Sequence, residues 1–461
     1  MSAMFRSFSS FNFRVWFIGA LVSNIGSWMQ STAQSWVVLT QLTDNDAGAM
    51  GVTMALQFGP PLVLVGWSGW VTDRFDRRRI LIVTQVALLA LSIGIGTLLL
   101  LDVMTLPLMY CFALAMGLVV AFDNPARQAF VSDLVARENA SNAVALNAAS
   151  FNGARMFGPA VAGLLIVAVG TGWVFLINAL TYLGMIVALL ALRTGELIPR
   201  TMDTASTRLA DGFRYVARRP DLLVVFAMVF LMGALAMNFP IFASTMALEF
   251  GEEADGFGLL SSILAIGSLA GALLAARRAR ARLRVVIVAT GAFGVVTIIS
   301  STMPVYWAYA ICLVFVGFTT VTTLTTANGY VQTTTDASLR GRVMALYVAI
   351  LMGGTPLGAP VVGWVASEFG PRTALLVGAA GGLAACAIGL IWVTASGRLH
   401  RRDETRFRFE LDETRPISII TRAQPIVTPE EFSDQAAETT PIRLVDDEDD
   451  DLDDDRVAAR R

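Results

Sequence analysis

Two ionisable residues, Arg155 and Asp123, sit inside long apolar stretches of the chain, 142–169 and 106–130. Charge at such depth is expensive, so each is a candidate for function by default. Arg155 lies about 20 Å into its segment at helical rise, too deep for easy snorkelling. It either attracts an anionic ligand or forms a structural ion pair, for which Asp123 is a possible partner. A carboxylate buried enough to be protonated near neutral pH can carry protons. Asp123 is the best such candidate, because Asp102, Glu249 and Glu368 fall at segment ends. The one histidine, His400, lies beyond the last apolar segment and cannot serve.

Uncharged hydrogen-bonding groups form a second constellation. At 100° per residue Ser23, Asn24, Ser27, Gln30, Ser31 and Gln34 fall within an arc of about 120° on one helix. Such a face lines an aqueous cavity or glues helices together. Asn152 and Asn238 add polar groups on two other segments, and Met232, Met237 and Phe239 give the second of these adaptable apolar walls. A neutral or amphiphilic solute suits that chemistry. The six threonines from Thr319 to Thr326 are expected to bond their own helix backbone before any ligand.

The elements that position these residues follow from composition. Of 461 residues 55% are hydrophobic and 15% charged, against roughly a quarter charged in soluble domains. This excludes an ordinary soluble enzyme and implies an all-α polytopic membrane protein. Twelve spans are expected, at 13–41, 49–71, 80–101, 106–130, 142–169, 173–192, 222–248, 257–276, 285–303, 306–332, 343–368 and 373–393. Nothing ahead of the first resembles a cleavable signal. Cys111, Cys312 and Cys386 lack metal or disulfide spacing, and no glycine loop with lysine suggests a nucleotide. Neither a cofactor, a metal nor a nucleic acid is expected.

Arginine clusters follow the even-numbered spans, as at Arg74 to Arg79 and Arg340 to Arg342, which predicts a multi-pass plasma-membrane protein with both termini cytoplasmic. Ala145, Leu146, Gly153, Gly158, Val161 and Gly163 recur as Ala345, Leu346, Gly353, Gly358, Val361 and Gly363, an offset of 200. The expected plan is two parallel six-helix repeats, 1–193 and 222–393, joined by a cytoplasmic linker at 194–221. Residues 394–461, ending in an acidic run at 446–455, are expected to be a disordered tail that could hold a basic partner.

Between spans two and three the chain reads Gly69, then Asp73, Arg74, Phe75, Asp76, Arg77, Arg78 and Arg79. This resembles the signature loop of the major facilitator superfamily, with Asp76 where the pattern has glycine. Asp tolerates the left-handed backbone that glycine would supply. Asp73, Arg74 and Arg77, with Asp133 as partner, form a gating latch in that resemblance; topology-setting charge is the plainer reading. Gly153, Gly158, Pro159 and Gly163 resemble the glycine-proline helix-packing motif of the superfamily's antiporters, in its drug/proton antiporter branch. Gly26 to Gln30, 141–166 and the Leu339 to Val343 loop look like the branch with enterobactin exporters and macrolide efflux proteins, the transmembrane secretion effectors. The resemblance implies a secondary transporter, working as a monomer, that exports small amphiphilic molecules such as drugs or siderophores in exchange for protons. An uncoupled facilitator or lipid mover, and a membrane scaffold or sensor acting through the tail, are the alternatives.

Overall fold

A computed structural model describes residues 3–197, 209–277, 281–336, 339–396, 399–401 and 409–411. Fifteen α-helices account for nearly all of it: α1 (Phe11–Thr40), α2 (Ala47–Val63), α3 (Val65–Arg74), α4 (Arg77–Leu100), α5 (Leu106–Asp133), α6 (Ala140–Val169), α7 (Thr171–Ala191), α8 (Leu209–Ala217), α9 (Pro220–Leu231), α10 (Phe239–Glu249), α11 (Ala254–Ala276), α12 (Leu283–Ser301), α13 (Tyr306–Thr334), α14 (Arg340–Phe369) and α15 (Pro371–Ala395). Leu399–Arg401 and Phe409–Leu411 pair as a short antiparallel ladder. The expected tail otherwise lies outside the described residues, as does 198–208 of the expected linker; α8 forms within that linker.

Among the described residues ten helical segments are long and apolar enough to cross a membrane, and the bent pair α2–α3 makes an eleventh. The expected twelfth, α1, has 30 residues, but its serines, asparagine and glutamines keep it below that hydropathy. Two spans expected to be continuous are broken. Pro60 and Pro61 remove two backbone donors near the end of α2, and α3 leaves at 55°. The span at 222–248 divides at a π-turn, Met232–Ala236, ahead of Pro240.

The helices pack as two bundles. In one, α1 lies against α6 and α7, and α4 against α5 and α7; in the other, α11 and α12 lie against α13, and α15 against α9 and α12. Between them the contacts of α2 with α14 and of α6 with α11 dominate. The repeat is visible in detail: α6 and α14 both end at a glycine, Gly170 and Gly370, each with φ 88°, a backbone that side chains other than glycine rarely adopt.

Burial shows where the bundles join. One apolar cluster runs through both, uniting Met29, Trp36 and Met50 with Phe242, Phe257 and Ala359 near the α1–α2 turn. Two others stay within single bundles at the opposite end: Phe13, Trp16, Leu81 and Phe130 in the first, Leu222, Phe226, Tyr330 and Tyr347 in the second.

Candidate functional site: the seam between the bundles

At the α1–α2 end the seam is shut. A Cβ at Gly163 of α6 would meet the Ala254 carbonyl oxygen of α11 at 2.6 Å, so only glycine permits this approach. Trp36 stacks on Phe257 at 6.0 Å between centroids. Asp46 caps α2 by accepting the Gly48 N–H at 2.7 Å, and Ser367 of α14 donates to the same carboxylate at 2.8 Å while accepting from Gly48 at 3.0 Å. Towards the other end this contact runs out, with Gly59, Gly66 and Gly69 on α2–α3 and Gly153 on α6 facing open space. The packing motif therefore splits: Gly158 meets Trp28 and Ile25 of α1, Gly163 and Pro159 meet α11, and Gly153 packs against nothing. That last outcome differs from the expectation for Gly153, whose repeat counterpart Gly353 does meet Leu62 of α2 across the seam.

The polar stripe of α1 divides in the same way. Gln30 is 1% exposed and turned into its own bundle: its Oε1 accepts from Ser92 at 2.6 Å and from Asn178, and its Nε2 approaches the Met116 sulfur. Ser27 bonds the Ser23 carbonyl and Tyr182, and Ser23 is fully buried. Gln30 and Ser27 thus glue α1 to α4 and α7, while the buried Ser23 hydroxyl has no partner among the described residues. Gln34 reaches Gln57 of α2 at 3.3 Å, and the side chains of Asn24, buried, and Ser31, half-buried, make no hydrogen bond among the described residues. The remaining polar lining is thus Asn24, Ser31, Gln34 and Gln57.

Asp123 and Arg155 are not brought together. The Asp123 carboxylate accepts from Thr84 Oγ1 at 2.7 Å and Gln85 Nε2 at 2.9 Å on α4, and pairs with Arg127, one turn on, at 3.1 Å. Arg155 sits 5.8 Å from the Trp28 ring centroid, within cation–π range. No carboxylate pairs with it among the described residues. On α6 it falls about 60° round from Gly158, which faces α1, towards Pro159 and Gly163, which face α11. It therefore projects into the seam, with Asn152 in the same sector, bonded to the Ala148 carbonyl at 2.9 Å. Across the seam Asn238 is fully buried at the broken span. Its Nδ2 closes the turn on Ala234 O at 2.6 Å, while its Oδ1 has no partner.

In the loop after α3, Arg77 grips both Asp133 oxygens at 2.8 and 2.9 Å and the Ala129 carbonyl, all within the first bundle. Arg78 donates to the Leu189 and Leu190 carbonyls at the end of α7, and Arg74 lies over Trp70. Asp73, exposed, is engaged as well. Asp76 does not take a left-handed turn: at φ −64° it is the N-cap of α4, accepting from the Arg79 N–H at 2.8 Å.

A cluster that sequence reasoning missed closes the same end of the second bundle. Arg219 holds Asp221 by two bonds of 2.9 and 2.8 Å and also donates to the Tyr215 hydroxyl and the Thr334 carbonyl, while Tyr330 donates to Asp221. The Asp–aromatic–Arg grouping of Tyr215, Arg219 and Asp221 was the available signal. Bonding to Asp221 raises the Arg219 pKa above its ordinary value, so the guanidinium stays charged at any physiological pH.

Two helical bundles meeting along a seam, closed at one end by glycine contacts and bearing a lone arginine, define a membrane transporter of the major facilitator superfamily, not an enzyme. The chain belongs to the transmembrane secretion effector family, whose model matches residues 2–409. It is 23% identical over 399 residues to the enterobactin exporter EntS of Salmonella typhimurium, covering 85% of this chain and 94% of that one. The staphyloferrin A transporter of Staphylococcus aureus is 22% identical over 367 residues, 77% and 90% of the two chains. The crystal structure of a D-xylose-proton symporter shares the fold at a TM-score of 0.66 and 14% identity, over 82% of this chain and 96% of its own. This chain is accordingly an integral inner-membrane secondary transporter.

Proposed function

We propose that this protein exports a small anionic amphiphile, of siderophore type, across the plasma membrane by alternating access. The observation that carries this is Arg155, a cation at span depth in the seam that lies over the Trp28 ring and pairs with no carboxylate among the described residues. A buried charge without a counter-ion is strongly unfavourable unless something supplies one. A substrate with anionic oxygen donors does so, and the siderophore names of two relatives support that chemistry. Asn24, Ser31, Gln34, Asn152 and the orphan Oδ1 of Asn238 offer hydrogen bonds around it. The chain acts as a monomer, with α1 as the twelfth crossing and both termini cytoplasmic, in keeping with its arginine-rich loops. The shut α1–α2 end is then the outer one, and the seam loads from inside.

Proton antiport is assigned to Asp123. Protonation would release Arg127 and weaken the bonds from Thr84 and Gln85, loosening α4 from α5 as the bundles rock. The same saturation favours a second reading, an uncoupled facilitator in which Asp123 stays ionised and structural. The acidic run at 446–455 is accessory, so deleting it leaves export intact; loss of export with normal expression would instead favour the scaffold reading.

The test uses purified protein in liposomes with an imposed pH gradient, following a catechol siderophore and, in parallel, a lipophilic cationic dye. Wild type should move the siderophore and not the dye, Arg155→Ala should lose the movement while inserting normally, and Asp123→Asn should lose its dependence on the gradient. Equal transport of both compounds, or normal siderophore transport by Arg155→Ala, would defeat the anion reading. Gradient-independent transport by wild type would leave the facilitator.

A further inference from the structure

The 55° bend between α2 and α3 has a second product besides the broken span. As α3 leaves the bundle it uncovers a lateral groove of about 550 Å³ between α4 and α5, lined by first-bundle residues alone. Its walls are apolar: Ile80, Val83 and Ala87 from α4 face Leu118, Val119 and Phe122 from α5, with Val71 and Phe75 of α3 at the rim. The volume falls in the range of built ligand sites, about 300–1,000 Å³. The surface around it is strongly apolar and open, with Val83 68%, Val63 80%, Trp67 74% and Trp70 57% exposed. In a chain of ten or eleven membrane-crossing segments such a surface lies against hydrocarbon, and paired tryptophans mark the headgroup level.

The mouth is charged at that same level, with Arg79 and Asp76 both lining it and Asp76 turned to the Arg79 backbone N–H. Arg79, in the first turn of α4, lines it and is exposed, and Arg74 stands nearby over Trp70. The other charges there are committed: Arg77 to Asp133, Arg78 to the end of α7, and Asp76 to capping α4. Asp73 is also engaged. From Arg79 the groove descends past Val83 to Ala87, eight residues and about 12 Å of helix. A charged entrance over an apolar slot of that depth is the shape of one anionic headgroup with one acyl chain.

We propose that this groove is a binding site for an anionic membrane phospholipid of the leaflet facing the chain termini, its phosphate on Arg79 and one acyl chain between α4 and α5. The floor includes Thr84, which donates to Asp123. The bound chain therefore touches a residue that holds the α4–α5 polar pair, and lipid composition acts on the first bundle from its membrane face. This inference is independent of the substrate proposed for the seam.

The experiment reconstitutes the full chain in nanodiscs of phosphatidylcholine containing a small fraction of phosphatidylglycerol with a photoreactive acyl chain. Adducts are mapped by peptide mass spectrometry, and an otherwise identical phosphatidylcholine probe runs in parallel. Phosphatidylglycerol adducts should concentrate on the α4 and α5 peptides and exceed phosphatidylcholine adducts there by about fivefold, the factor expected for one arginine at an anionic headgroup. Arg79→Ala should erase that preference, and Arg79→Lys should restore part of it. Val83→Trp, which fills the groove from an exposed position, should remove the adducts without changing thermal unfolding. Equal labelling by the two probes, labelling spread evenly over all spans, or adducts unaffected by Val83→Trp would each reduce the groove to ordinary boundary lipid.

Discussion

At the repeat offset of 200, Asp123, Arg127, Asp133 and Arg155 of the first bundle correspond to Thr323, Ala327, Thr333 and Thr355 of the second. The first-bundle side chains tie helices to one another: Asp123 joins α5 to α4, and Asp133 does the same through Arg77. Thr323 and Thr333 instead donate to carbonyls one turn back in their own helix, at 2.9 and 2.8 Å. Such bonds satisfy a hydroxyl without linking anything and tend to soften a helix. Thr355 reaches the Gly233 carbonyl at 3.3 Å, inside the broken span. One scaffold has therefore been furnished twice, once as a cross-linked body carrying the charge chemistry and once as a compliant partner with a π-turn in its central span. Rocking about a seam needs only one side to hold the ligand, and the other can supply the give.

The contrast reverses at the ends of the bundles remote from the α1–α2 turn, and the largest expected effect tests it there. Arg219 and Asp221 have side chains 10% and 0% exposed, whereas Arg77 and Asp133 are 14% and 23% exposed. Asp221→Ala strands a buried guanidinium and should destabilise the protein by about 3–5 kcal/mol. Asp133→Ala should cost less, about 1–2 kcal/mol, because the lost carboxylate is itself 23% exposed and Arg77 keeps the Ala129 carbonyl as a partner. Thermal unfolding in detergent separates the two, and equal losses would break the distinction. The Arg219 pKa is raised in the fold, so its contribution is lost only as pH climbs through that elevated value. Unfolding between pH 5 and 8 should show no step from this guanidinium.

A smaller effect sharpens the comparison at the repeat-related pair Arg155 and Thr355. Arg155→Ala should slow siderophore export by about tenfold or more, the consequence of losing a charge-assisted contact of about 1.5–3 kcal/mol. Thr355→Val should leave the rate within about twofold, since its hydroxyl meets a backbone carbonyl of its own bundle. Initial rates in the liposome assay decide it. Comparable losses in both would mean that the second bundle shares the ligand.

Much of this was legible in the sequence, and the misses have physical causes. The all-helical membrane class followed from apolar runs, and the loop pairing of Arg77 with Asp133 from charge at span ends. Gln30 misled because periodicity reports which face is polar but not what lies opposite; Ser92 and Asn178, from distant segments, turned a cavity face into a helix contact. Asp76 misled because an aspartate before a helix caps it as readily as it bends a turn. Gly153 misled because a repeat keeps a residue's position while its neighbours differ: Gly353 meets Leu62, and nothing stands opposite Gly153. The breaks at Leu64 and at 232–238 were announced by Pro60, Pro61 and Pro240, but the direction of each bend depends on packing that no local pattern contains.

The smallest expected effect lies at the shut end of the seam, where both bundles contribute equally. Ser367 is the one hydroxyl that bonds both the Asp46 carboxylate and the Gly48 N–H across the seam. The site is exposed, so water replaces what Ser367→Ala removes, and the closed state should lose about 1 kcal/mol at most. Asp46 still caps α2, so the fold keeps its stability. An equilibrium between two conformations nevertheless shifts about fivefold for each kcal/mol. A cysteine placed at Ala254, which is buried against Gly163 while the seam is shut, should therefore react severalfold faster with a membrane-impermeant maleimide in the Ser367→Ala background. Gly163 and its contacts remain in that variant, so a faster reaction measures opening and not unfolding. An unchanged rate, with Asp46→Ala equally silent, would assign closure of that end to glycine packing alone and leave the hydrogen bonds as helix caps.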